Sequence, residues 1–371
     1  MIERDEMAAW LRLLEAPRVG RTAARRLLAA FGSPASVLDA LPASRAEIVG
    51  HEQAHSVGKA SDSIDALIDE TWAWLNEAGD VPRAVVTLGD ACYPASLLET
   101  ADPPLLLYAQ GALSLLSAPS IAVVGSRNPT PQGLENAQAF SQHLSLGGIT
   151  VVSGLALGID GAAHEGGLAG AGSTIAVCGT GLDRVYPSRH RALAHRITRA
   201  GLMLSEHPLG TPPLRENFPG RNRIIAGLSR GTLVVEAALQ SGSLITARMA
   251  LESGREVFSI PGSIHSTQSR GCHWLIKQGA KLVETANDIF EELQMTIQRE
   301  TQPESEREES LPPTVDAPLL KALGYDPMSL DALVERTGRS ASDLNAKLLE
   351  LELEGYVARL PGQLFQRRSR A

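Results

Sequence analysis

The chain has 371 residues, of which 43% are hydrophobic, 20% charged and 4% aromatic, a composition typical of a globular protein with two or three domains. The formal net charge is −8, but residues 184–230 hold nine arginines and only two acidic residues, a local surplus of seven positive charges. Such asymmetry indicates partners better than the total charge does, although a solvated helical face would give the same count. The low aromatic content argues against a platform of many exposed rings.

No run approaches the ~20 apolar residues of a membrane span, and the acidic start MIERDEMAAWLRLL does not resemble a signal peptide. Cys92, Cys178 and Cys272 are far apart among apolar or small neighbours, a pattern that favours buried thiols in a reducing compartment over a disulfide or zinc site. We therefore expect a soluble, cytoplasmic protein with no metal and no cofactor.

Residues 1–83 are predicted to form a helical domain. Apolar positions recur at helical spacing, with Gly20 in a turn and Gly32 as a helix stop. A helix-hairpin-helix or SAM-like module of this kind can present backbone N–H groups to a phosphate, with Arg21, Arg25 and Arg26 nearby. A simple packing module is the alternative.

Residues 84–297 alternate short apolar strands with helix-length segments, which predicts an α/β domain with an extended, Rossmann-like, doubly wound parallel sheet. Strands are expected at RAVVTLGD, around 105–108, and at IAVVGS, ITVVSG, TIAVCG, GLMLSE, TLVVEA, EVFSIPG and KLVET. Ligands of such sheets bind beyond the carboxyl ends of the strands, where glycine-rich or polar turns follow nearly every strand here.

Residues 298–314 are predicted to form a charged, proline-bearing linker, and 315–371 are predicted to form three helices and a closing hairpin, an order that resembles a winged helix. Ser340 and Ser342 are candidate caps of the third helix. That helix, DLNAKLLELELEG, is too acidic to face phosphates, so protein contact or packing is favoured.

Several loops carry candidate ligand contacts. After the first core strand, Gly125 and Ser126 allow a close backbone approach at a helix N-terminus, and Arg127 adds a guanidinium suited to phosphate. In a second loop, Gly179 permits close approach, Arg184 is a candidate phosphate contact and Tyr186 a candidate base contact.

The segment NFPGRNRIIAGLS places Arg221, Asn222 and Arg223 before an apolar pair that looks buried. Phosphate is the better candidate partner for these three residues, and Glu236 is the competing partner within the protein. Arg223 is the one of the three for which a structural role is the alternative. A further anion site is predicted at the helix N-terminus formed by Ser241, Gly242, Ser243 and Thr246. Asp160 and His164 have the spacing of a catalytic pair, but helix capping and packing are the better interpretation.

Taken in order, these motifs resemble the bacterial DprA (Smf) family, which processes DNA during natural transformation. The resemblance covers roughly residues 84–286 and includes motifs from YPASLLETADPPLLLYAQG (93–111) to IPGSIHSTQSRGCHWLIKQGA (260–280). It implies single-stranded DNA binding without catalysis, homodimerisation, and loading of RecA recombinase onto DNA covered by single-strand-binding protein. It assigns DNA contacts to the 125–127 loop and to Arg221 and Asn222, with Ser241, Gly242 and Thr246 in support; His273 stands where the family often has Asn.

Two other functions fit parts of the sequence. Nucleotide phosphoribohydrolases of the lysine decarboxylase-like family share this type of sheet, but here no Pro-Gly-Gly precedes Gly231-Thr232 and the spacing to Glu236 differs from their motif. The second alternative is an adaptor that acts through the winged-helix-like tail, with the arginine loops serving only for packing.

Overall fold

The structure is a computed structural model that describes residues 2–57, 59, 63–295 and 316–368. The linker predicted at 298–314 lies outside the described residues. Within the described ranges, no helix combines the length and apolarity needed to cross a bilayer. The same ranges contain no cluster of three or more His, Cys, Asp or Glu side chains arranged to hold a metal ion.

The predicted N-terminal helical domain is confirmed. Its helices are α1 (Arg4–Leu14), α2 (Arg21–Phe31), α3 (Pro34–Asp39), α4 (Pro42–Val49), α5 (His51–Ser56) and α6 (Ile64–Asn76). Gly20 precedes α2 in an extended conformation, and Gly32 ends it at φ +86°, a backbone conformation that favours glycine.

The central sheet contains, in the described part of the chain, nine strands in the order β1-β2-β6-β5-β4-β3-β7-β8-β9. They are β1 (Arg83–Thr87), β2 (Leu106–Gly111), β3 (Ser120–Val124), β4 (Thr150–Ser153), β5 (Thr174–Cys178), β6 (Leu202–Ser205), β7 (Gly231–Val234), β8 (Glu256–Ser259) and β9 (Lys281–Leu282). In this sheet order, every pair of neighbouring strands in the stretch β6-β5-β4-β3-β7-β8-β9 is parallel, as predicted. The first two strands extend the sheet at one end by antiparallel pairing: β1 pairs with β2, and β2 pairs with β6.

Helices cover both faces of the sheet, which confirms the doubly wound Rossmann-like architecture. They are α7 (Ala95–Leu98), α8 (Pro131–Leu146), α9 (Ile159–Gly167), α10 (Arg191–Ala200), α11 (Asn217–Leu228), α12 (Gly242–Glu252), α13 (Arg270–Lys277) and α14 (Ala286–Glu292). In β3, Ile121 and Val123 join the core under α8, α9 and α14. Ala122 and Val124 join the core under α11, α12 and α13. Both faces of β3 are therefore buried, which explains its continuous apolar sequence.

The N-terminal helices share a core with the sheet. Met7, Leu11 and Leu27 belong to the same buried cluster as Tyr108 of β2 and Ile197 of α10. Apolar area that would face water on an isolated sheet is thus covered by residues more than 80 positions away in the chain.

The C-terminal residues form the predicted winged helix, with α15 (Ala317–Leu323), β10 (Met328–Ser329), α16 (Leu330–Thr337), α17 (Ala341–Leu353), β11 (Val357–Leu360) and β12 (Leu364–Arg367). Ser340 caps α17 by accepting a hydrogen bond from the Asp343 amide at 3.2 Å. Ser342, the other candidate cap, lies inside the helix.

The prediction of three buried thiols is correct for two of them. Cys178 and Cys272 are buried, the first at the end of β5 and the second in α13, whereas Cys92 is exposed because it follows β1 in a surface turn.

Candidate functional site

A cleft opens at the carboxyl ends of β3 and β7. The chain runs outwards from β3 through β4 and β5 to β6 and then returns to place β7 on the other side of β3, so the strand order reverses between these two strands. Loops that follow the two strands diverge at such a reversal and leave a crevice. The crevice here has a volume of about 840 Å³ and is lined by the loop after β3, the first turns of α11 and the N-terminus of α12.

The cleft brings together most of the predicted binding residues: Gly125, Ser126, Arg127, Tyr186, Arg221, Asn222, Ser241, Gly242 and Thr246. Gly179, Arg184 and Arg223 are not among the described residues that line it. A β-carbon on Gly179 would lie 3.2 Å from the Phe218 ring, so this glycine makes room for a cleft residue. Arg184 is exposed and donates to the neighbouring Asp183 at 3.2 Å.

The loop after β3 presents one charged side chain to the cleft. A β-carbon on Gly125 would lie 2.6 Å from the Ile159 side chain, so only glycine lets α9 pack against this turn. Ser126 is buried, and its hydroxyl accepts from the Asn128 amide at 3.1 Å, which fixes the turn. Arg127 is exposed, with its guanidinium carbon 5.8 Å from the centre of the Phe218 ring.

The Arg221-Asn222-Arg223 triplet lies on helix α11, rather than beside a buried strand. Successive residues of an α-helix point about 100° apart, and the three side chains accordingly meet three different surroundings. Arg221 points at the strand ends, Asn222 lines the cleft, and Arg223 points away from the cleft to pair with Glu206 and Asp102. Arg223, which is also a predicted binding residue, thus lies outside the described cleft lining, and its guanidinium is paired with these two carboxylates.

Arg221 is held by the sheet itself. It is 6% exposed, and its Nη1 donates to the carbonyls of Gly154 and Val177, the latter at 2.8 Å, at the ends of β4 and β5. A β-carbon on Gly154 would lie 2.4 Å from Arg221 Nη2, so this glycine makes the space for the guanidinium. The Asp160 carboxylate lies 4.0 Å away.

Asp160 and Arg221 are mutually dependent charges in a buried setting. Burial raises the pKa of the Asp160 carboxyl, while Arg221 and the amides of Ala156 and Gly154 act in the opposite direction. Burial likewise lowers the pKa of Arg221, and Asp160 opposes that change. Each charge therefore compensates part of the desolvation of the other.

Phe218 and Arg215 complete the cleft and were not predicted from the sequence. The Phe218 ring is close to both Arg127 and Arg221, whose guanidinium carbons are 5.8 Å and 5.5 Å from its centre. Its centre is also 5.6 Å from that of the Tyr186 ring. Tyr186 itself is 51% exposed. Two features of the sequence indicate these residues. Phe218 is an aromatic residue near the arginine triplet in a chain with few aromatics, and Arg215 belongs to the arginine-rich segment 184–230.

The N-terminus of α12 forms the facing wall. The Ser241 hydroxyl caps the helix by accepting from the Ser243 amide at 3.3 Å, Thr246 is buried, and the space around Gly242 is open. Small residues therefore expose the first turn of the helix to the cleft, where its free N–H groups favour an anion.

The acidic and imidazole groups near the cleft are each engaged in structural contacts. Asp160 lies in the first turn of α9 and accepts from the amides of Gly154 and Ala156, so it fixes the preceding loop instead of capping the helix. His164 is bonded to the Leu155 amide and to Thr174. The described contacts of Asp160 and His164 thus give no catalytic pair.

Two further sequence-based alternatives are resolved by local contacts. The sequence allows Glu236 to pair with one of the arginines. Its carboxylate instead accepts from the backbone N–H and the hydroxyl of Thr130, at 3.0 Å and 2.6 Å, and so anchors the start of α8. His273 Nε2 lies 2.9 Å from the Gly262 carbonyl and fastens the loop before α13.

Burial of His164 predicts that the stability of the protein falls in acid. Burial, with His190 and Arg221 nearby, lowers the pKa of His164 to about 3. Below its ordinary pKa near 6.5 the unfolded chain binds a proton that the folded chain does not, so the free energy of unfolding should fall by up to about 1.4 kcal/mol per pH unit as pH drops. We expect His164→Asn to make this slope shallower in urea titrations between pH 4 and 6, and an unchanged slope would contradict this account.

The fold and the position of the cleft define an extended Rossmann-like protein with a winged helix. A family model described as DNA recombination-mediator protein A matches residues 84–294, and models of a DprA-like N-terminal HHH domain and a DprA winged helix domain match 4–66 and 302–363. The chain belongs to the DprA/Smf family.

Similarity to individual relatives extends over most of the chain. It is 43% identical to protein Smf of Escherichia coli K12 over 300 residues, 80% of this chain and 79% of the relative. Its identity to protein Smf of Synechocystis is 36%, covering 98% and 99% of the two chains.

Two solved structures are similar in fold and sequence. The crystal structure of DNA processing protein A from Streptococcus pneumoniae is 39% identical, with a TM-score of 0.66, and the match covers 78% of this chain and 98% of that one. A structure that concerns the single-stranded DNA binding mode of the Helicobacter pylori protein is 31% identical, with a TM-score of 0.52, covering 57% and 95%.

Proposed function

We propose that this chain binds single-stranded DNA in the cleft and acts by binding, without catalysis. The observation that carries the proposal is the chemistry of the cleft lining. Arg127, Arg215 and Arg221 face a single lining carboxylate, Asp160, which is itself buried against Arg221. The exposed charge of the described lining is therefore positive, as an anionic polymer requires.

The aromatic residues support a single strand over a duplex. Tyr186 offers an exposed ring backed by Phe218, and a nucleobase can stack on such a ring only when it has left its neighbours in a helix. Phosphates would lie against Arg127, Arg215 and the N-terminus of α12, where guanidinium groups and free N–H groups bind oxygen anions.

We further propose that the bound strand is incoming DNA, which the protein protects and delivers to RecA recombinase in the cytoplasm during natural transformation and recombination. Family membership and the description of the family as a recombination mediator support this step. Single-strand-binding protein on the same DNA is the partner to be displaced.

Homodimerisation is proposed at the β9 end of the sheet, where Trp274 and Leu282 are exposed. Light scattering that shows only the mass of a monomer would argue against a dimer.

Removal of the exposed cleft arginines should weaken DNA binding. A hydrogen bond to a charged group contributes about 1.5 kcal/mol, so Arg127→Ala and Arg215→Ala should each reduce affinity for a labelled oligo-dT roughly tenfold at moderate salt. Each change should also make the log–log salt slope shallower by about 0.7, the value for one phosphate contact on a single strand. Fluorescence anisotropy over a salt series measures both quantities.

Arg199→Ala is the matched control, because it removes the same charge from an exposed position in the last turn of α10, outside the cleft lining. Its affinity should stay close to that of the unmodified chain. Equal losses of DNA affinity in all three variants would mean that the net charge of the protein, and not the cleft, determines binding. Unchanged affinity in Arg127→Ala and Arg215→Ala would favour the adaptor alternative.

The phosphoribohydrolase alternative is disfavoured by Glu236. Burial raises the pKa of this carboxyl and Thr130 holds it by two hydrogen bonds, so it is engaged in anchoring α8. Incubation with nucleoside monophosphates should release no free base, and robust release would overturn the binding proposal.

The recombinase step has its own readout. On DNA coated with single-strand-binding protein, addition of the chain should shorten the lag before RecA hydrolyses ATP, and Arg127→Ala should lengthen it again. An unchanged lag at saturating protein would rule out loading while leaving DNA binding intact.

A further inference from the structure

One carboxylate outside the cleft receives guanidinium groups from two separate parts of the chain. Asp102, in the turn before β2, accepts from Arg21 Nε at 2.9 Å and from Arg25 Nη1 at 2.5 Å, both on α2. Arg223 Nε of α11 lies 3.1 Å from the same carboxylate. Asp102 therefore joins the helix-hairpin-helix module to α11.

A second carboxylate closes the network. Glu206, directly after β6, pairs with Arg223 and also lies 3.5 Å from Arg21 Nη1. The side chains of Arg223 and Glu206 are only 12% and 13% exposed, and that of Asp102 is 30% exposed. Partial burial strengthens these ion pairs relative to surface pairs, and the sharing of partners makes them act together.

The neighbouring arginines determine the direction in which the pKa of Asp102 shifts. Burial alone would raise its pKa, but Arg223, Arg25 and Arg21 outweigh that effect, so the pKa of Asp102 lies below its ordinary range. The carboxylate is thus charged at neutral pH, the form that pairs with the three guanidinium groups.

The network changes what the helix-hairpin-helix module can do. Arg21 and Arg25 follow the Gly20 turn on α2, where they could otherwise meet a phosphate, and both guanidiniums already bond the Asp102 carboxylate. On α11, Arg223 follows Asn222 directly and stands five residues after Phe218, so the helix held by the network is the one that presents the cleft residues.

We propose that Asp102 is a positioning residue through which the N-terminal module fixes α11, and with it Asn222 and Phe218, in the DNA-binding arrangement. The module then serves as a support for the cleft and makes no DNA contact through Arg21 or Arg25. This inference rests on the proposed function of the cleft.

Asp102→Asn tests the inference, with Asp69→Asn as the matched control. The control also removes one carboxylate from an ion pair, with Arg4, but that pair lies within the N-terminal module and does not reach α11. Networks of this kind change affinity by roughly two- to thirtyfold, so Asp102→Asn should weaken oligo-dT binding within that range while Asp69→Asn leaves it unchanged. Asp102→Glu should restore most of the affinity.

A double-mutant cycle shows whether Asp102 acts through Arg223. In an Arg223→Gln background, Asp102→Asn should have little further effect on affinity, because the connection is already broken. Additive losses would mean that Asp102 acts by another route and would overturn the proposal.

Hydrogen exchange provides a readout that does not depend on DNA. Amides of 217–228 should exchange faster in Asp102→Asn than in the unmodified chain, and this comparison stands even if the chain binds no single-stranded DNA, in which case only the proposed function has failed. Unchanged exchange in α11, or faster exchange without loss of affinity in a chain that binds DNA, would overturn the positioning role.

Discussion

Arg221→Ala is expected to lower the free energy of unfolding by roughly 3–5 kcal/mol, the usual loss when one partner of a buried charge pair is removed. The guanidinium is 6% exposed and bonds the carbonyls that end β4 and β5. Alanine would leave these carbonyls without their donor and the Asp160 carboxylate without its compensating charge. Urea unfolding followed by circular dichroism measures the loss.

This variant separates a structural role for Arg221 from direct phosphate contact. Arg127→Ala is the comparison, because that side chain is exposed and its removal should leave the unfolding midpoint unchanged. Adding Asp160→Asn to Arg221→Ala should recover part of the stability, since no carboxylate then remains unpaired. If Arg221→Ala instead loses DNA binding at full stability, the side chain is primarily a DNA ligand, as the sequence predicts.

Gly166→Ala is expected to destabilise the fold by about 3 kcal/mol, the upper part of the usual range for overpacking. A β-carbon at this position in α9 would lie 2.2 Å from the Gln138 carbonyl and 2.9 Å from the Gln142 amide, both in the backbone of α8. Because backbone atoms cannot rotate away, the two helices must separate, and the loops before them border the cleft. Thermal unfolding should show the loss.

Gly220→Ala is the control for this prediction. Gly220 also lies in a helix, α11, but nothing stands within 4 Å of its added β-carbon. Without a clash, alanine should stabilise the helix by about 0.5–1 kcal/mol through its better propensity. Similar destabilisation by both substitutions would show that close helix contact is not the reason for glycine at 166.

The sheet could be predicted from the sequence because its strands are buried on both faces. Runs such as IAVVGS and TIAVCG have no polar alternation, and only a parallel sheet covered by helices accommodates them in succession. No such sequence feature distinguishes β1 and β2, which pair antiparallel. The direction of a strand added to a sheet depends on which edge of the sheet the chain reaches. Strand positions were therefore predictable, and the strand direction at the β1 end was not.

Adjacent residues in the sequence did not share a function in the site. Arg221, Asn222 and Arg223 form one motif in the printed sequence, but the helix distributes them among the strand ends, the cleft and the contact with the N-terminal module. Phe218 was missed for the related reason that its surroundings come from three separate segments. Predicting these environments requires the crossing of α11 over the sheet, which no local pattern encodes.

The core shared by Met7, Leu11 and Leu27 with Tyr108 has a consequence for truncation experiments. A chain begun at residue 84 would keep the region matched by the main family model, yet it would expose the apolar face of β2 and leave Asp102 without its partners Arg21 and Arg25. Aggregation or loss of activity in such a fragment would then report an uncovered sheet, and would not show that the missing helices bind any partner of their own. Point substitutions at the boundary between the two units are the sounder way to assign a role to the N-terminal helices.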